Sequence, residues 1–181
     1  MWMTNFMNKF KQKKGTMSFS EKRRIVKYLD EEGIPYRLIS HSEVFGASRL
    51  AQSIHVPGRE VAKVVIVRMG GPYAMVVIPS HRPLDLIHFG EAIGRKDLSL
   101  AEEKDLEMLF PDCEVGAMPP FGALYGMPVY MDEAFKREPI LFFPAGTHHE
   151  VIEMWSDDFE RWVQPTFGHY TVEPLKKAIG A

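Results

Sequence analysis

The stretch KVVIVRMGGPYAMVVIP at residues 63–79 limits the fold more than any other part of this chain. Two runs rich in β-branched residues, 63–68 and 73–79, flank Met-Gly-Gly-Pro, where Gly70 and Gly71 supply the positive φ that a tight turn needs. The spacing predicts two strands paired antiparallel as a hairpin. One residue does not fit. Lys63 puts an ammonium group at the mouth of a run that otherwise reads as a buried strand. Desolvating that charge is costly unless it sits at the rim or meets an anion. Lys63 is therefore either a rim lysine that snorkels or a group whose anionic partner comes from elsewhere.

The segments around the hairpin alternate between the two periodicities. Residues 18–33 carry the Ser18–Glu21 spacing of a capping box, apolar positions at Ile25, Tyr28 and Leu29, and a stop at Gly33, which predicts an amphipathic helix. Residues 34–40 read as a short strand, and 47–56 as a short helix ended by Pro57 and Gly58. Two further short helices are expected over 83–94 and 99–110, the second stopped by Pro111. After the loop 111–126, strands are expected at PVYMD, ILFFPAG and HEVIEM, then a closing helix from Ser156 with acidic residues in its first turn. With 181 residues, 45% of them hydrophobic, one well-cored domain is expected. The reading is an α+β domain over 18–165, a mixed, mostly antiparallel, barrel-like sheet surrounded by helices. A flexible basic extension is expected at 1–17 and a C-terminal tail at 166–181.

Composition narrows the chemistry. Lys and Arg total 22 against 24 Asp and Glu, so no global polycation advertises nucleic acid, no DNA partner is expected, and any RNA contact is local. No window approaches the roughly 20 apolar residues of a membrane span. The single cysteine, Cys113, excludes an internal disulfide and C-x-x-C zinc spacing, suits a reducing cytoplasm, and has no activating partner at fixed spacing. His148 and His149, adjacent in a strand, point to opposite faces and make a poor metal pair. Neither G-x-x-x-x-G-K-[ST] nor G-x-G-x-x-G occurs. No metal and no cofactor is expected. His81 and Arg82, at a strand end, read either as a polar turn or as a phosphate contact. EVGAMPPFG, residues 114–122, packs prolines and glycines into a rigid loop with exposed amides, either a plain connection or a cradle for a substrate.

Taken in order, HSEVFGASRLAQSIHVPGREVAKVVIVR, VVIPSHRPLDL, EVGAMPPFG, PVYMDEAF and FPAGTHHEVIEM resemble the YbaK and prolyl-tRNA-synthetase-associated editing-domain family over roughly residues 20–163. The resemblance rests on the strand-entry lysine, the G-x-x-P loop from Gly116 to Pro119, and Gly-x-x-His from Gly146 to His149. It implies a free-standing enzyme that hydrolyses the ester between a wrong amino acid and the 3′ end of a transfer RNA. Lys63 would then meet the phosphate and ribose of the terminal adenosine, and Gly116 and Pro119, with Ala117 and Met118 between them, would shape a loop whose amides orient the aminoacyl carbonyl. Water would attack with help from the backbone and the substrate's ribose hydroxyl, without metal or covalent intermediate. Val44, Phe45, His81, Met118 and Phe121 are the expected pocket lining, and Gly146 and His149 complete the substrate-binding set. Gly46 stands where the family pattern often has threonine, which removes a hydroxyl from reach of the substrate. The implied partners are the aminoacyl-tRNA acceptor end and a synthetase. The alternative is a non-catalytic module that holds the acceptor end or a nucleotide-like ligand and docks on a synthetase through the acidic helix at 101–109.

Overall fold

A computed structural model of the chain describes residues 24–172. The expected extension 1–17, the Ser18–Glu21 capping box and residues 173–181 lie outside the described residues. The hairpin forms from β2 (Ala62–Met69) and β3 (Tyr73–Pro79), antiparallel, with Lys63 opposite Ile78 and Val65 opposite Val76. Gly70 turns the chain at φ +74.

Strand β3 is apolar on both faces, and successive residues of a strand face opposite ways, so each face needs its own cover. On one side Met75 and Val77 join a core with Ile25 and Leu29 of α1 (Arg24–Glu31), Leu141 and Phe143 of β6 (Ile140–Thr147), Ile152 and Met154 of β7 (Glu150–Trp155), and Phe159 of α5 (Ser156–Val163). There Phe121, Phe143 and Phe159 contact one another with ring centroids 5.6–5.9 Å apart. On the other side Ala74, Val76 and Ile78 pack with Phe89 and Tyr170. Phe89 lies in α3 (Leu86–Ile93), whose start is fixed by the Asp85 carboxylate accepting from the Ile87 and His88 amides.

The strands form two sheets. One is ordered β4 (Leu98–Leu100), β2, β3, β5 (Val129–Asp132) and β8 (Thr166–Gly168), with β5 parallel to both neighbours. The other, β1 (Arg37–Ser40), β7 and β6, is antiparallel throughout. They meet at a parallel bridge between Val61 and Phe142, where the Phe142 amide donates to the Glu60 carbonyl at 2.9 Å. The sheet is mixed and mostly antiparallel as expected, but it does not close into a barrel. The helix expected over 99–110 starts later. Leu98–Leu100 pair with β2 instead, and α4 (Glu103–Leu109) begins after Glu102, whose side chain forms a capping box with Asp105. The helix expected over 47–56 is α2 (Ala47–Ser53). Among the described residues no helix is long and apolar enough to cross a membrane.

Residues 166–172, placed in a tail by the sequence reading, include β8 and a buried tie. Asp132 is 2% exposed and accepts from the Ala134, Tyr170 and Thr171 amides and the Thr171 hydroxyl at 2.9–3.0 Å. Removing one partner of a buried charged network leaves the others unpaired. Asp132→Ala is therefore expected to lower unfolding stability by about 3 kcal/mol or more, with Asp132→Asn between it and the parent. Urea denaturation checks this, and a loss under about 1 kcal/mol would show that the tie contributes little beyond an ordinary hydrogen bond.

Candidate functional site

Beyond the Val61–Phe142 bridge, β2 and β6 belong to different sheets and share no ladder, and a pocket of about 400 Å³ is lined by both. Val64 and Ile66 line it from β2, Pro144 and Thr147 from β6. Lys63 lines the same pocket, half-buried, and its Nζ donates to the Arg82 carbonyl at 3.0 Å. Burial pushes the ammonium below its ordinary value of 10.5, and no carboxylate among the described residues offsets that shift. The lysine that looked out of place in the sequence is thus a cation held by a neutral carbonyl at the wall of a cavity.

The loop after α4 supplies the second wall. It is clasped to the turn between β6 and β7 by several bonds: Glu114 N–H to Gly146 O at 2.8 Å, Gly146 N–H to Ala117 O at 3.0 Å, His148 N–H to the Glu114 carboxylate at 2.6 Å, and His148 Nε2 to Val115 O at 3.0 Å. A carbonyl only accepts, so His148 Nε2 carries a proton. The clasp holds Gly116 at φ +88, in the left-handed region, with a Cβ there placed 3.7 Å from His148 Cε1. The Gly116 amide donates to the Met118 thioether at 3.2 Å, a weak acceptor that yields readily to an oxygen. The segment that follows β1 is strapped to the same turn, His41 N–H to His149 O at 2.9 Å and Val44 N–H to His148 O at 3.2 Å. This places Val44, Phe45 and Gly46 at the cavity.

Of the expected site residues, Lys63, Gly116, Met118, Val44, Phe45 and Gly46 line this one pocket. Ala117 and Phe121 are buried in the core instead, and Phe121 contacts Tyr28. Pro119 follows Met118 without lining the cavity, and Gly146 acts through the clasp. His81 stands outside the lining. His149 also stands outside, its Nε2 3.7 Å from the Glu43 carboxylate, while His148 lines the pocket. The two histidines are the turn residues between the Thr147–Glu150 pair, not strand residues, so strand alternation does not decide which of them faces inward. His41 and Thr147 also line the cavity and carry no motif that marks them. Among the described residues no group of three metal-ligating side chains gathers.

The family model described as the aminoacyl-tRNA editing domain matches residues 41–162, and the chain belongs to that family. It is similar to the Multifunctional Ser/Thr-tRNA deacylase ProXp-y of Escherichia coli (strain K12), 23% identical over 148 residues that cover 79% of this chain and 88% of the relative. Its fold is similar to a crystal structure of a candidate trans-editing enzyme for prolyl tRNA synthetase, with TM-score 0.75, 18% identity, and 86% of this chain and 100% of that one covered. It is also similar to the hypothetical protein APE2540, with TM-score 0.73, 18% identity, and 82% and 99% covered.

Lys63 has a cost that depends on pH. Its folded-state value lies below the unfolded one, so the folded chain binds this proton less tightly. The charge therefore destabilises the fold below the lowered value, and the cost fades as pH rises toward 10.5. Lys63→Met is expected to melt above the parent at pH 7, with the gap shrinking as pH approaches 10.5. Paired thermal melts across that range check it, and a variant that melts below the parent at pH 7 contradicts it.

Proposed function

We propose that the chain is a trans-editing aminoacyl-tRNA deacylase. It hydrolyses the ester that joins a wrong amino acid to the terminal ribose of a transfer RNA. The observation that carries this reading is Lys63, a half-buried cation at the wall of an apolar cavity with a carbonyl for its partner. The terminal phosphate and ribose of the substrate supply the anion it lacks. Water adds to the ester carbonyl, the carbonyl oxygen takes up negative charge, and the bond to the ribose oxygen then breaks. The products are a free amino acid and a ribose hydroxyl that takes the proton.

The Gly116 amide is the donor placed to meet the developing oxyanion, once the Met118 thioether gives way. Pro119 stiffens the loop behind it. No side-chain base is needed where the ribose hydroxyl positions the water. The sequence similarity to the Ser/Thr-tRNA deacylase relative and the fold similarity to the candidate prolyl trans-editing enzyme support the same class. Second-site hydrolysis meets a real need, because one methylene gives a synthetase only about 1–3 kcal/mol of discrimination. The editing unit spans the expected 18–165, works in the cytoplasm beside a synthetase, and is completed by the strand at 166–168.

A panel of misacylated transfer RNAs tests the reading, since ester loss marks an enzyme and saturable binding without ester loss marks a binding module. Lys63→Ala is expected to lower kcat/KM by roughly 10- to 150-fold, the loss of one charge-assisted bond of about 1.5–3 kcal/mol. Lys63→Arg should restore it only in part, because a planar guanidinium keeps the charge but changes the shape. Parental rates from Lys63→Ala on every ester would remove Lys63 from the site. Gly116→Ala is expected to lose about 1–2 kcal/mol of stability from the left-handed backbone and to lower kcat by more than the unfolded fraction explains. A kcat loss that only tracks stability would make Gly116 a structural residue.

A further inference from the structure

Large apolar side chains normally leave water, and two of those that do not stand at this cavity. Phe45 is 58% exposed and Leu100 is 54% exposed, and among the exposed large apolar side chains of the described residues these are the two that line the pocket. They come from different parts of the fold. Phe45 sits on the segment strapped to the β6–β7 turn, and Leu100 ends β4 at the edge of the other sheet. The Phe45 ring rests against the His148 ring, with centroids 4.6 Å apart and planes tilted by 49°. His148 is in turn fixed by its bonds to Val115 and Glu114. Phe45 is therefore a braced aromatic ring that keeps more than half its surface in water.

From these observations we infer that Phe45, with Leu100 on the lining of the same pocket, is a stacking platform for the purine base of the terminal nucleotide, and not part of the amino-acid pocket. The inference rests on the deacylase reading and adds a base subsite to it. The ester carbonyl must reach the Gly116 amide inside, and the rest of the transfer RNA must remain outside, so the terminal base lies at the mouth. A neutral aromatic face and an aliphatic side chain suit a flat base and offer nothing to a phosphate. Base–aromatic stacking is worth about 1–3 kcal/mol per base by alanine substitution, which corresponds to roughly 5- to 150-fold in affinity. The amino-acid end is left to the enclosed aliphatic wall of Val64, Ile66 and Met118.

The test uses two probes that differ only by the base, adenosine 5′-monophosphate and ribose 5-phosphate, titrated into the full chain by NMR. The parent is expected to bind the nucleotide at least about fivefold more tightly. Phe45→Ala should erase that difference, Phe45→Trp should keep it, and Leu100→Ala should reduce it. Exposure of Phe45 means that these substitutions remove little buried area, and a thermal melt confirms that each variant is folded. Equal binding of the two probes by the parent, or an unchanged ratio in Phe45→Ala, overturns the base subsite. The binding readout is independent of turnover. A parent that discriminates the probes yet hydrolyses no misacylated transfer RNA would sink the deacylase reading and leave the base subsite standing.

Discussion

The fold depends on β3 being apolar on both faces. Met75 and Val77 require a core on one side, Ala74, Val76 and Ile78 require another on the opposite side, and no single layer satisfies both. The antiparallel sheet with α1 and α5 meets the first need, and α3 with Tyr170 meets the second. A sheet pressed from both sides is free at its lateral edges, and there the two sheets touch through Val61 and Phe142. Because that contact is parallel, β2 and β6 leave it in the same direction, and beyond it they share no ladder. The cavity lies where both strands contribute lining residues without pairing. The segment after β1 and the loop after α4 supply further walls beyond that bridge.

Much of this was legible in the chain, for identifiable reasons. The hairpin follows from Gly70 between β-branched runs, with Gly71 outside the positive-φ region expected of it, because turns are local chemistry, whereas the helix expected over 83–94 begins only at Leu86, after the Asp85 cap. Leu98–Leu100 misled, since three residues beside an acidic run look helical and become a strand only by pairing with Val67, Arg68 and Met69. Likewise nothing local distinguishes an open pair of sheets from a barrel. In the site, Lys63 and Gly116 stood out as local anomalies, a cation in an apolar strand and a glycine among prolines. His148 did not, because the choice between it and His149 is made by Glu114 and Val115, more than 30 residues away. Ala117 and Phe121 look like pocket residues by proximity to Gly116, yet the loop turns them into the core.

The residues at the cavity share a pattern of unmet local preference, and the rest of the fold holds them in it. Lys63 is desolvated without a carboxylate, Gly116 gives its amide to a thioether, and Phe45 keeps an aromatic ring in water. Each is mildly unfavourable alone, and none is needed to build either core. The clasp from Glu114 to His148 and the tie from Asp132 to Thr171 lie outside these three residues and are well satisfied. Groups on the lining of one pocket can share one remedy, a ligand that brings an anion for the ammonium, an oxygen for the amide and a flat apolar face for the ring. The ester end of a transfer RNA carries all three in a single covalent unit. On the proposed reading, the clasped backbone that carries Gly116 is held before the ligand arrives, so exchange of the Met118 thioether is the main local rearrangement, and the amide would act on charge that appears only as the ester is attacked.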